Sequence, residues 1–120
     1  FSWREPEKAF DAAVNSRGLG FKGAQSVHPA PIPFLNQGFS VPREEAAFMR
    51  GALEAFQEGL ERGTASVSVD GRMIDIASAE RCRRVLERAD AIAGMEGRKR
   101  EALGDPEALE RRLRAAVDKV

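Results

Sequence analysis

Apolar residues recur every three to four positions in three stretches of the chain, and this spacing predicts amphipathic helices over Pro6–Arg17, Arg43–Arg62 and Ser78–Ala93. The second stretch has the most regular pattern. Pro42 and two glutamates favour its start, and Gly63 favours its end. Its apolar stripe is most simply the part of the helix that faces a core, and it consists of Met49, Leu53, Phe56 and Leu60.

Between the second and third helices, the spacing of apolar residues changes to every second position. Ala65, Val67 and Val69 alternate with serines, and Asp70-Gly71 follows directly. An Asp-Gly pair between alternating residues is a strong signal for a two-residue hairpin turn. Thr64–Ile74 is therefore predicted to form a β-hairpin, with Asp70 selected for its tolerance of a positive φ.

Two further segments suggest that this chain is part of a larger domain. Phe21–His28 has the length of a single strand, and Pro29–Pro33 contains three prolines, which predicts an irregular loop. A strand without a partner leaves backbone groups unpaired. Near the end, Gly94–Gly104 is predicted as a charged linker, followed by a helix that begins at Asp105-Pro106-Glu107. The thin apolar stripe of that helix suggests docking on another body, and it consists of Leu109, Leu113 and Val117.

Composition narrows the classes of function. Nineteen basic residues balance nineteen acidic ones, which argues against a general nucleic-acid partner. No apolar run has the length of a membrane span, so no membrane partner is expected. A single His and a single Cys cannot form a zinc framework, and Cys82 on an apolar helix face is interpreted as inert packing. Reduced, unpaired cysteine fits a cytoplasmic location.

Several short motifs, taken in order, resemble the C-terminal part of the citrate lyase β-subunit and malyl-CoA lyase family, a CoA-thioester branch of the HpcH/HpaI-like aldolases. The resemblance covers about residues 19–93 and rests on the combination, because each motif alone is weak. The matching positions are Gly20, Phe21, Gly23, Val27-His28-Pro29, Ile32, Asn36, Phe39, Pro42, Glu44-Glu45, Asp70-Gly71 and Met73-Ile74-Asp75.

The resemblance implies an α/β fold. Within it, this mostly helical chain would supply the last strand of a (β/α)₈ TIM barrel and a helical extension that carries the β-hairpin. The expected division is a closing helix, last strand and proline-rich loop over residues 1–42, a helix–hairpin–helix extension over 43–95, and a charged linker with a docking helix over 96–120.

The same resemblance implies a Mg²⁺-dependent carbon–carbon lyase acting on a malyl-CoA- or citryl-CoA-like thioester. The Mg²⁺ ligands and the substrate-clamping Arg would come from earlier strands, so this chain alone would hold an incomplete active site and no metal ligand. A homo-oligomer is also implied, in which the extension contributes to a neighbouring subunit's active site.

Four residues are candidates for the site. The resemblance implies that Asp75 is the acid/base at the thioester α-carbon, whereas the sequence alone favours an N-cap of the following helix; one residue can fill both roles. His28, Pro29 and Asn36 are implied substrate or CoA contacts. For His28 the alternative is a hydrogen bond that fixes the proline-rich turn, and for Asn36 it is the organisation of a loop.

Three positions depart from the family pattern, namely Ala24 in place of Lys, Pro31 in place of Gln, and Ala77 in place of Pro. The departures at Ala24 and Pro31 are consistent with a CoA-thioester hydrolase or synthase paralogue on the same scaffold. A separate alternative is a non-catalytic helical interaction module that uses the hairpin and last helix as a docking surface.

Overall fold

The computed structural model describes residues 2–117, apart from the side chains of Pro106, Leu109, Leu113 and Val117. These residues are mostly helical with one two-stranded antiparallel hairpin. The TIM barrel implied by the resemblance is not confirmed. In chain order the elements are α1 (Lys8–Gly18), α2 (Ile32–Phe39), α3 (Arg43–Glu61), β1 (Val67–Val69), β2 (Arg72–Ile74), α4 (Ile76–Leu103) and α5 (Pro106–Val117).

The chain divides into two compact units, Phe1–Ser40 together with Met95–Val120, and Val41–Gly94. None of the helices among residues 2–117 combines the length and apolar character needed to cross a membrane. The three-part domain division remains a prediction.

In the first unit, α1 packs closely against α2. Ala9 and Ala13 of α1 are buried with Leu35 and Phe39 of α2. The close approach depends on Gly38, since a Cβ at that position would lie 2.5 Å from the Cβ of Ala13. The first predicted helix is confirmed, with its boundaries shifted by one or two residues.

The strand predicted over Phe21–His28 is wrong for the described chain. Residues 21–26 have no regular secondary structure, and the side chains of Phe21 and Val27 are exposed. The physical reason is that a strand requires a hydrogen-bonded neighbour. The only paired strands among residues 2–117 are those of the hairpin.

The loop predicted over Pro29–Pro33 ends earlier than expected, because α2 begins at Ile32. Pro31 is the buried N-cap residue of this helix, and Pro33 lies in its first turn. Prolines are tolerated there because the first backbone N–H groups of a helix have no intrahelical acceptor. Asn36 therefore lies on a helix, and its interpretation as a loop organiser is wrong.

The second unit confirms the predicted long helix and hairpin. Its core joins α3 to the hairpin and to the first turns of α4, and consists of Met49, Ala52, Phe56, Ile74, Ala79 and Cys82. In the hairpin, Val67 pairs with Ile74 and Val69 with Arg72. Asp70 and Gly71 have φ values of +48° and +74°, as a type I′ turn requires.

The charged linker predicted over Gly94–Gly104 is also wrong, because α4 continues through this segment to Leu103. Two internal glycines disfavour the helix by about 1 kcal/mol each, but the segment contains no proline. An ion pair between Glu96 and Lys99, at 2.9 Å, spans one turn of it. The helix ends at Gly104, whose φ of +78° is incompatible with its continuation.

The start of α5 is confirmed as predicted. The backbone N–H of Glu107 donates to the Asp105 carboxylate at 3.1 Å, so Asp105 caps the helix. The stripe of Leu109, Leu113 and Val117 lies outside the described side chains, and docking of α5 on another body remains a prediction.

Candidate functional site

Asp75 lies between β2 and α4 in the second unit, where the hairpin ends and the helix begins. The preceding residue, Ile74, is only 4% exposed and anchors the junction in the core. The Asp75 carboxylate accepts a hydrogen bond from the backbone N–H of Ser78 at 2.8 Å. This is the N-cap geometry that the sequence predicts, and it fixes the carboxylate at a partly exposed position.

The cap also favours the charged form of Asp75. The backbone N–H of Ser78 contributes most to lowering the pKa of this carboxyl, and the Ser78 hydroxyl contributes next. Asp75 is therefore ionised at neutral pH. A carboxylate in this state can accept a proton, and it can donate one only after it has received it.

We expect the Ser78→Ala variant to raise the pKa of Asp75 part of the way towards its ordinary value, because the hydroxyl is lost while the backbone N–H remains. The lowered pKa means that Asp75 stabilises the fold above its unfolded-state pKa. That stabilisation is lost as the pH falls through the lower folded-state pKa. An NMR titration of the Asp75 carboxyl in both proteins measures the effect. An unchanged pKa would show that the hydroxyl has no part in holding the charge.

His28 lies in the first unit and organises the turn before α2. Its Nδ1 accepts a hydrogen bond from the backbone N–H of Ala30 at 3.1 Å, so the ring proton of the neutral side chain lies on Nε2. The hydroxyl of Ser26 donates to the His28 carbonyl at 2.7 Å. The structure thus contains the hydrogen bond that the structural alternative for His28 requires.

An aromatic contact that sequence reasoning missed supports the His28 ring. The ring stacks on Trp3 with centroids 5.1 Å apart, and the guanidinium of Arg4 lies 4.3 Å from the Trp3 ring centroid. The only available signal in the sequence is that Trp3 is the single tryptophan.

Pro29 and Asn36 both line a cavity of about 540 Å³ in the first unit. The opposite wall is formed by the end of α4 and the start of α5, including Lys99 and Arg100. Sequence reasoning missed these two cations because it assigned them to a linker. The cavity lining does not include His28. Asp75 belongs to the other unit.

The described residues do not provide a metal centre. No group of three or more His, Cys, Asp or Glu side chains within residues 2–117 is arranged to hold a metal ion. Mg²⁺ prefers near-octahedral oxygen ligation, which usually includes one or two carboxylates. The residues present therefore do not fit a complete Mg²⁺ site.

Comparison with known proteins confirms the family resemblance. The chain is 30% identical to a (3S)-malyl-CoA thioesterase from Cereibacter sphaeroides over 79 residues, 66% of this chain and 28% of the relative. It is 31% identical to the citrate lyase subunit beta of Escherichia coli over 78 residues, 65% of this chain and 26% of the relative.

A third similar protein is a citrate lyase subunit beta-like protein from Deinococcus radiodurans, 28% identical over 82 residues, which are 68% of this chain and 29% of the relative. No family model matches the chain. The chain thus aligns with less than a third of the length of each of these curated relatives.

Proposed function

We propose that this chain, a relative of the citrate lyase β-subunit and malyl-CoA family, is the C-terminal portion of a carbon–carbon lyase. Its substrate would be a CoA thioester of the malyl or citryl type. The observation that carries the proposal is Asp75, an ionised and positioned carboxylate in the motif that resembles the family's acid/base segment.

The chemistry asked of Asp75 is a proton transfer at the thioester α-carbon. In the condensation direction, the carboxylate would accept a proton from this carbon as the enolate forms. In the cleavage direction, the β-hydroxyl would lose its proton to solvent as the carbon–carbon bond breaks and the carbonyl product forms. Asp75, protonated from solvent beforehand, would give its proton to the enolate carbon and return to the carboxylate. The cap from Ser78 supports the accepting state, because it lowers the pKa of Asp75.

The substrate contacts proposed for His28, Pro29 and Asn36 are supported unequally. Pro29 and Asn36 line the same cavity, which favours a shared ligand. For His28 the hydrogen bond to Ala30 leaves Nε2–H as the free donor. Mg²⁺ would be held by residues outside 2–117, and the proton transfers proposed for Asp75 do not depend on it.

We also propose that the whole protein is a homo-oligomer in which the hairpin brings Asp75 to a neighbouring subunit's active site. Exposure of Met73 and Ile76 on either side of the Asp75 segment supports this arrangement. The buried, unpaired Cys82 supports a cytoplasmic location.

A thioester hydrolase is the second candidate, and a specific observation favours it. The relative from Cereibacter sphaeroides is named a malyl-CoA thioesterase, and its identity to this chain is 30%, compared with 31% for the citrate lyase subunit. In a hydrolase, Asp75 would accept a proton from the water that attacks the thioester carbonyl, and free CoA thiol would leave.

The products formed from (3S)-malyl-CoA by the whole protein distinguish these functions. A lyase releases glyoxylate and acetyl-CoA, so glyoxylate accumulates and no free thiol appears. A hydrolase releases malate and CoA, so thiol accumulates and glyoxylate does not. We expect glyoxylate from malyl-CoA, or oxaloacetate from citryl-CoA. Thiol alone would assign the hydrolase, and neither product would favour the non-catalytic interaction module.

A further inference from the structure

We propose that the cavity between α2 and the α4–α5 connection binds a small carboxylate with an apolar tail. Its volume of about 540 Å³ falls in the range of small-molecule sites. The far wall comes from residues 96–110, beyond the residues 19–93 that carry the family resemblance. The cavity includes Pro29 and Asn36, the substrate contacts proposed above, but the test below uses neither a CoA thioester nor turnover, so either proposal can fail alone.

The charges around the cavity single out Arg100. Its guanidinium makes no ion pair or hydrogen bond with any residue that the structure describes. By contrast, the other charged side chains of the lining have ion-pair partners, in the pairs Glu96–Lys99 at 2.9 Å, Glu107–Arg111 at 3.6 Å and Glu110–Arg114 at 3.7 Å. Arg100 is therefore the charged side chain of the lining that is left available to pair with a ligand anion.

The same charges favour a single negative charge on the ligand. The charged lining residues Glu96, Lys99, Arg100, Glu107 and Glu110 sum to −1, and the ion-pair partners Arg111 and Arg114 bring the sum to +1. A phosphate dianion would gain from one guanidinium and be repelled by these carboxylates. A carboxylate matches the planar fork of Arg100 with a single charge.

The remainder of the lining fits an apolar body with polar edges. Ile32 and Leu103 contribute large apolar side chains that are 43% and 54% exposed. Asn36 and Gln37, which each carry a side-chain amide, also line the cavity. Neither amide has a hydrogen-bond partner within residues 2–117. A short aliphatic tail would cover the apolar pair, and the amides would complete the coordination of the head group.

Hexanoate is the probe that tests this proposal. We expect it to bind the full chain with a Kd of about 1 mM, the affinity expected for a ligand of this size. Backbone amide shifts in an NMR titration should concentrate in α2 and residues 96–104. Hexanol lacks the charge, hexylammonium reverses it, and hexyl phosphate doubles it, so all three should bind more weakly.

A matched pair of variants isolates the head-group contact. Arg100→Gln should weaken hexanoate binding at least about tenfold, because a charge-assisted hydrogen bond is lost. Arg98→Gln removes the same charge from the same helix without touching the cavity lining and should change the Kd by less than about twofold.

Three results would overturn the proposal. The first is equal binding of hexanol and hexanoate. The second is equal weakening by both variants, since that would reveal a general charge effect. The third is a titration in which hexanoate changes neither the backbone amide shifts nor the hydrogen-exchange protection of α2. This result counts against the proposal even if α4 and α5 become ordered only when the ligand binds.

Discussion

The Asp75→Asn variant of the whole protein is expected to turn over its CoA thioester about 10²–10⁴-fold more slowly, the usual contribution of a general acid–base group. Its fold and substrate binding should change little. Asn is nearly as good an N-cap as Asp, and its side-chain oxygen can still accept the bond from Ser78. The variant therefore removes the proton carrier and keeps the cap. Steady-state turnover and a thermal melt measure the two roles separately.

Asp70→Asn is the matched control for this prediction. It makes the same chemical change in the hairpin that precedes Asp75, at a turn position whose φ of +48° Asn tolerates well. We expect turnover within about twofold of the unmodified protein. If Asp75→Asn retains full turnover, Asp75 is only a cap. If both variants lose turnover equally, the hairpin's charge or shape matters rather than the Asp75 proton.

The Gly38→Ala variant is expected to destabilise the first unit by about 1–3 kcal/mol, the range for overpacked cores. The added methyl carbon would lie 2.5 Å from the Cβ of Ala13 and 2.8 Å from the backbone oxygen of Phe10. Because one contact is to backbone, α1 and α2 must separate to relieve it. Separation would expose the buried Leu35 and Phe39. Urea unfolding followed by Trp3 fluorescence measures the loss, since Trp3 is the single tryptophan.

Gly18→Ala provides a control with the opposite expected sign. Gly18 is the last residue of α1, and a Cβ there meets nothing within 4 Å. Replacing a helical glycine by Ala in open space should leave stability unchanged or raise it by up to about 1 kcal/mol. Equal stability of Gly38→Ala and the unmodified chain would mean that α1 and α2 do not approach this closely.

Local features of this protein could be predicted from its sequence because they depend on residues a few positions apart. The stripe of Met49, Leu53, Phe56 and Leu60 lies within one helix, and the structure forms α3 there, although Leu60 at its end is 44% exposed rather than in the core. Asp70-Gly71 requires only its own backbone angles to close the hairpin. The caps at Asp75 and Asp105 are bonds to residues two or three positions later.

Tertiary structure decided the features that depend on distant neighbours. The apolar and proline-rich Phe21–Pro33 was predicted as strand and loop, but an extended segment becomes a strand only beside a partner. The α2 helix is stabilised by its packing on α1, which residues 32–39 alone do not encode. The extension of α4 through a glycine-containing, charged segment was likewise missed.

The residues of the candidate site also differ in whether the sequence or the fold identified them. The sequence by itself determined that Asp75 is a cap and, through its motif, a candidate acid/base. Its family resemblance made Pro29 and Asn36 candidates, but did not show where they lie. Only the fold put both on one cavity with Arg100, because that meeting requires the end of α4 to lie near α2. Side chains far apart in sequence meet through packing, and packing is a property of the whole unit rather than of any local pattern.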